Sequence, residues 1–255
     1  MAEYDFSGKT ALVTGAASGM GLCFSQNVAD LGCNVVMCDI NMDALKEAVD
    51  AINAKGKGKA IAVECDTRSY EQVCQAVETT KQAFGSIDFL VPFAGGTAVR
   101  MQKVDRKVYP EFPDVPIEVY DWGLDVNLKG PFYFSHAALK VMREQKSGVI
   151  VLLGSVTGEQ GSDYGVEYAV AKSGLMKGLT KSLAAYGAPY GIRCVCVAPG
   201  PVLTRAAMAN MKTAMGRAAE PQEIIDLILF LISDKATFIT GECVLADGGR
   251  VLMQF

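Results

Sequence analysis

The chain has 255 residues, half of them apolar and a fifth charged, with a net charge of −4. That composition supports a large packed core and argues against disorder. It also excludes a strong basic field for nucleic acid or anionic lipid, the one small basic cluster being Arg100, Lys103, Arg106 and Lys107. The start, Met1-Ala2-Glu3-Tyr4-Asp5, lacks the basic head and apolar core of a signal peptide, and no apolar run is long enough for a bilayer, so a soluble, cytoplasmic protein is expected. The eight cysteines form no CxxC pair and the only histidine, His136, is near none of them. No metal site is expected, and the thiols read as reduced, small apolar residues.

Strand-like and helix-like segments then alternate along the chain. Lys9–Thr14 is a β-rich run ending at a glycine, and 19–31 has helical spacing through Met20, Phe24, Val28 and Leu31. Asn34–Cys38 is a second strand, 42–54 a helix, Ala60–Val63 a third strand and 69–84 a helix closed by Gly85. Ile87–Phe93 is a fourth strand, followed by a long helix over 117–145, a strand over 148–154 and a helix over 166–187. Ile192–Val197, a helix over 221–233 and Glu242–Leu245 complete the order. Apolar strands joined by amphipathic helices predict a single α/β domain, a doubly wound parallel sheet of seven strands with helices on both faces, a Rossmann fold. Ligands of such sheets sit beyond the carboxyl ends of the strands, and the motifs fall there.

The first strand runs into Thr14-Gly15-Ala16-Ala17-Ser18-Gly19-Met20-Gly21 and then a helix. Glycines here permit a tight turn and close approach of a pyrophosphate, and the free helix amides favour its charge. Asp39 closes the second strand; a carboxylate there accepts from the adenosine ribose and repels a 2′-phosphate. Its neighbours Ile40 and Asn41 are not basic, nor are Ala16 and Ala17, so NAD is expected over NADP. Asn41 is the better cap for the following helix. Cys65-Asp66-Thr67 ends the third strand and Ala94-Gly95 the fourth, both placed to border adenine and its ribose. Tyr168 and Lys172 lie four apart on one predicted helix face, with Ser155 ending the preceding strand. An ammonium and a positive nicotinamide ring favour tyrosinate, and the serine hydroxyl can bond a substrate oxygen.

Together these residues resemble the short-chain dehydrogenases/reductases over essentially the whole chain. The resemblance also takes in Asn127 within DVNLKG and Pro199-Gly200 followed by Val202 and Thr204. It implies an NAD-dependent oxidoreductase moving a hydride between the nicotinamide and a secondary alcohol or ketone. By resemblance Tyr168 donates and accepts the proton, Lys172 binds the nicotinamide ribose and depresses the tyrosine pKa, Ser155 orients the carbonyl and Asn127 holds a relay water. Pro199, Gly200, Val202 and Thr204 would hold the nicotinamide end. The family also implies a homotetramer, or a dimer, built on the two long helices, with the last strand at a second interface. Hydroxysteroid-like alcohols, sugars or polyols and 3-oxoacyl thioesters remain open as substrates. The competing reading is a catalytically silent NAD-binding sensor or scaffold, against which the complete set Asn127, Ser155, Tyr168 and Lys172 argues.

Three departures from the family stand out. Pro92-Phe93 occupies the place where the family commonly has two asparagines, and a proline in a central strand predicts a local irregularity. The stretch from Gly95 to Asn127 is longer than the family norm by about ten residues, an insert over 99–116 carrying Pro110, Pro113, Pro116 and the basic cluster. It is expected to fold over the substrate, with Arg100 or Lys103 meeting an acidic group. The lid over 205–219 is short, and Met208, Met211 and Met215 at helical spacing suggest a packed helix face. Glu159, Gln160, Asp163 and Tyr164 are candidates for substrate contact. His136 reads as structural, and Trp122 as packing its helix near its start.

Overall fold

Five consecutive buried residues, Thr10–Thr14, form β1, and every later strand is added to it in parallel. The computed structural model describes residues 4–105, 107–109 and 111–253; Arg106 and Pro110 of the expected insert lie outside them. After β1 come α1 (Gly19–Asp30), β2 (Asn34–Asp39), α2 (Met42–Lys55), β3 (Ala60–Glu64), α3 (Tyr70–Phe84) and β4 (Phe89–Pro92). Then follow α4 (Ala98–Met101), α5 (Ile117–Leu124), α6 (Gly130–Gln145), β5 (Gly148–Leu153), α7 (Val156–Gln160), α8 (Val166–Gly174) and α9 (Thr180–Gly187). The described chain closes with β6 (Ile192–Pro199), α10 (Pro221–Ile232) and β7 (Cys243–Ala246).

The seven strands run in the order β3-β2-β1-β4-β5-β6-β7, all parallel. This is the doubly wound Rossmann arrangement, and the order reverses between β1 and β4, where a crevice opens at the carboxyl ends. Alternate strand residues feed opposite faces. Val13, Val35 and Met37 pack with Phe24 and Val28 of α1 and with Ile225 and Ile228 of α10. Leu12 and Val36 pack on the other face with Val73 of α3 and Phe134 and Met142 of α6. Complete burial of side chains such as Phe24 and Phe134 contributes about 1.5–3 kcal/mol each.

Pro92 produces the expected irregularity, and only on one side. The Phe93 amide donates to the Thr14 carbonyl at 3.1 Å, so the β1 ladder is intact to its end. Backbone groups alternate sides along a strand, so the missing Pro92 N–H faces β5, where pairing stops at Leu90↔Ile150. The place of the family's asparagines is partly filled by packing, the Phe93 ring lying 5.7 Å from that of Phe24.

The long helices predicted over 117–145 and 166–187 are continuous, but each contains a π turn, Asp125–Lys129 and Leu175–Leu179. The lid departs from the helix suggested by its methionines. It is a single 3₁₀ turn, Ala206–Asn210, with Met215 in open solvent. Its two ends are joined by the Val202↔Ala219 bridge. Among the described residues no helix is long and apolar enough to cross a membrane.

Candidate active site

The glycine loop between β1 and α1 requires the glycines it has. Gly15 has φ +64°, and a Cβ there would meet the Ala94 nitrogen at 2.8 Å. A Cβ on Gly21 would run into the Gly15 carbonyl. Ser18 precedes α1 in extended conformation but its side chain caps nothing, and the first turn carries no acid. By contrast, Asn41 caps α2 by accepting from the Ala44 amide at 3.3 Å, and Ser69 caps α3. The amides and dipole of α1 are therefore left for an anion.

Beside this loop the Asp39 carboxylate accepts from the Ala17 amide at 3.1 Å and from the Asn41 amide at 3.0 Å. It is fixed next to the glycine turn, with Ile40 exposed beyond it. A cleft of about 510 Å³ runs along the strand ends. Gly15, Ser18, Gly19, Met20 and Gly21 line it at one wall, with Asp39, Ile40, Cys65, Asp66 and Thr67 at the next and Ala94, Gly95 and Thr204 further along. Asp66 is clasped by Arg68, whose Nη2 donates to Oδ2 at 2.6 Å, and this hydrogen bond holds the carboxyl below its usual range. Arg68 also lines the cleft and went unnoticed in the sequence; it brings a cation to this end, but one already engaged. The Cys65 thiol is pushed up to about 12 by burial and then by Asp66, which makes it a poor nucleophile.

The second group of side chains gathers where β4 and β5 end. Asn127 is fully buried in the π turn after α5, and π turns often mark functional sites. Its Oδ1 accepts from the Gly96 amide at 2.9 Å, and its Nδ2 donates to the carbonyls of Gly96 at 2.9 Å and Gly123 at 2.8 Å. The side chain is thus a clamp on the strand-four loop, with its hydrogen-bonding groups engaged by backbone. A Cβ on Gly95 would lie 2.5 Å from Asn127 Oδ1 and 3.8 Å from Lys172 Nζ, which brings glycine, asparagine and lysine together.

Lys172 is buried on α8; its Nζ donates to the Leu153 carbonyl at 2.8 Å and stands 5.4 Å from the centre of the Tyr168 ring. Burial lowers its pKa to about 8. Ser155 is buried at the start of α7, its Oγ accepting from the Thr157 amide at 3.2 Å and also hydrogen-bonding Tyr168. The expectation of a depressed tyrosine pKa is corrected for the protein alone: burial raises it. The Ser155 hydrogen bond and the charges of Arg100 and Arg205 act in the other direction without overcoming desolvation.

Of the residues expected at the nicotinamide end, only Thr204 lines the cleft. Pro199 ends β6, the Gly200 amide donates to the Ala246 carbonyl at 3.0 Å, and Val202 is buried in its bridge. Tyr164 and Arg100 lie within electrostatic reach of one another. Gln160 instead turns to the Arg250 carbonyl at 3.4 Å and does not line the cleft, and Lys103 is likewise outside its lining. His136 is exposed, its Nδ1 2.6 Å from the Tyr70 hydroxyl and away from the strand ends. Trp122 does more than pack its helix: it lines the cleft, as do Met101 and Arg205. Glu167 was also missed; it is buried, and its partner, the Ala98 amide, lies 69 residues away in sequence. No local pattern could have signalled that contact.

Nearly the whole chain matches known oxidoreductases. Residues 15–250 match the family described as enoyl-(acyl carrier protein) reductase. The chain is a short-chain dehydrogenase/reductase. Oxidoreductase UcpA of Salmonella typhimurium is 34% identical over 96% of this chain and 95% of its own length. A short-chain type dehydrogenase/reductase from Mycobacterium marinum superposes with a TM-score of 0.87 at 31% identity, covering 97% of each chain. A 3-oxoacyl-[acyl-carrier protein] reductase with bound NAD from Brucella melitensis gives 0.85 at 31% identity, over 95% of this chain and 91% of that one. This short-chain dehydrogenase/reductase is thus an oxidoreductase.

Proposed function

We propose that this oxidoreductase is NAD-dependent and interconverts a secondary alcohol and a ketone, with Tyr168 as the acid and base. The observation that carries the reading is the meeting of Ser155, Tyr168 and Lys172 at the end of β5, beside Gly95, which lines the cleft.

The cleft residues fit a dinucleotide: the loop has no room for side chains at Gly15 and Gly21, and the start of α1 lacks an internal anion. Gly19 to Gly21 would hold the pyrophosphate, Asp39 the adenosine ribose, and Lys172 the nicotinamide ribose. When bound, the cofactor would supply the acceptor for a hydride from the carbinol carbon and the donor for the reverse reduction. Tyr168 takes the hydroxyl proton in oxidation and returns it in reduction. Ser155 donates to the substrate oxygen, where charge develops. Lys172 stands 5.4 Å from the centre of the Tyr168 ring, and an ammonium so placed favours tyrosinate over the neutral hydroxyl. Asn127 keeps the Gly95–Gly96 loop shaped for the cofactor.

Asp39 supports NAD over NADP, because a fixed carboxylate repels a 2′-phosphate, and Arg68 is occupied by Asp66. We also assign a homotetramer. The exposed apolar side chains Phe132 and Val170 on the long helices and Leu245 on β7 support it, lying on the elements where the family is expected to associate; light scattering tests the mass. The decisive experiment is a panel of alcohols and ketones followed by NADH absorbance with NAD and NADP in parallel. Turnover of secondary alcohols with NAD is expected; faster turnover with NADP would overturn the cofactor assignment.

A further inference from the structure

Two guanidinium groups line the cleft, Arg100 from α4 and Arg205 from the turn after β6, and the charges of both reach Tyr168. The chain has 28 acidic residues, enough to pair its 24 basic ones. Elsewhere the arginines are used: Arg68 holds Asp66, Arg217 holds Glu223 and Arg193 donates to backbone carbonyls. Among the described residues, Arg100 and Arg205 have no carboxylate within ion-pair distance. Each rests on sulfur instead, Arg100 on Met101 at 3.6 Å and Arg205 on Met208 at 3.5 Å. Arg100 also lies over the strand-four loop, where a Cβ on Gly96 would meet its Nη2 at 2.8 Å. The α4 turn that carries it is anchored to the catalytic helix by Glu167, which takes the Ala98 amide.

The two cations act on each other and on the reacting tyrosine. Burial, and next the like charge of Arg205, hold the Arg100 guanidinium below its usual range, while Tyr168 and Tyr164 oppose this. Like charges left unpaired in one cleft repel and are stabilised by an anion between them. The planar guanidinium fork matches a carboxylate with two parallel hydrogen bonds.

We propose that the substrate is a hydroxy acid or its oxo acid, its carboxylate held between Arg100 and Arg205 while its carbinol or carbonyl faces Tyr168 and Ser155. The placement of the carbinol rests on the alcohol and ketone chemistry proposed above; the carboxylate seat does not. A net charge of −4 gives no general attraction for anions, so the selectivity is local to the pair. At the opposite end of the cleft Asp39 and the Asp66–Arg68 pair offer no free cation.

Trp122, the only tryptophan of the chain, lines the same cleft and reports binding without turnover. The whole protein is titrated with pentanoate and with pentanamide, with and without saturating NADH. Pentanoate is expected to bind about 10- to 100-fold tighter than pentanamide, the range of a charge-assisted contact. That difference is expected to vanish in Arg100→Ala and Arg205→Ala, and to return in part in Arg100→Lys. Equal affinities, or a difference that survives both alanine variants, overturn the seat. A main loss of NADH affinity in Arg205→Ala overturns it too, because the arginine then serves the cofactor. Matched hydroxy acids and hydroxy amides are then compared with NAD by kcat/KM, with the acids expected to be preferred by a similar factor. Selective pentanoate binding with no turnover of any alcohol upholds the seat and overturns the proposed chemistry instead.

Discussion

The Glu167 carboxylate accepts the Ala98 amide at 2.9 Å and so joins the helix of Tyr168 to the turn of Arg100. Its second oxygen is buried with no hydrogen-bond partner among the described residues. Glu167→Ala leaves a buried amide unsatisfied and is expected to cost about 1–3 kcal/mol in urea denaturation. Glu167→Gln keeps the acceptor and removes the charge, so its cost is expected to be about 1 kcal/mol or less. Equal losses in the two variants would show that the hydrogen bond is not what the residue contributes.

Replacement of Tyr168 by Phe removes the hydroxyl proposed as the proton donor and keeps the ring beside Lys172. Turnover is expected to drop by about 10²- to 10⁴-fold, the range of general acid–base catalysis. NADH affinity, measured by fluorescence, should stay near that of the wild type. Retained turnover would reassign the acid and base.

Burial holds Lys172 at about 8 against an ordinary 10.5. The folded chain therefore releases this proton near pH 8 while the unfolded chain keeps it to about 10.5. The ammonium costs stability below about pH 8, and the cost is relieved as pH rises through that window. In Lys172→Met the cost is gone at every pH. The Tm of the variant minus that of the wild type, without cofactor, is expected to fall between pH 7 and pH 10. A constant difference would mean that Lys172 is not held as a buried cation.

Asp39→Ser keeps an acceptor but removes the charge proposed to repel a 2′-phosphate. The ratio of kcat/KM with NAD to that with NADP is expected to fall by about 10- to 100-fold, as for a like-charge contact of a few kcal/mol removed from an interface. An unchanged ratio would move the source of the preference away from Asp39.

Gly15→Ala places a Cβ at φ +64° and within 2.8 Å of the Ala94 nitrogen. The left-handed conformation alone costs about 1–2 kcal/mol. Stability and NADH affinity should both fall, since the turn that shapes the cradle must open. Wild-type NADH affinity in this variant would remove Gly15 from the site.

Much of this molecule was legible from residue order alone. Apolar runs punctuated by glycine located the strands, and the doubly wound sheet followed, because periodicity and turn chemistry are local properties of the chain. The loop from Thr14 to Gly21, Asp39, Ser155, Tyr168 and Lys172 were legible for the same reason: each stands at a strand end or on a helix face that its neighbours define. The methionines of the lid misled because their spacing is shared by a packed helix and by a closed 3₁₀ loop. The π turn around Asn127 left no trace, since one extra residue hardly disturbs a helical pattern. Tertiary structure alone decided the rest. Glu167 meets Ala98, Arg68 closes on Asp66 inside the cleft, and Arg100 comes under the charge of Arg205. It also set the raised pKa of Tyr168, because desolvation depends on what packs around a group in space and not on which residues adjoin it in the chain.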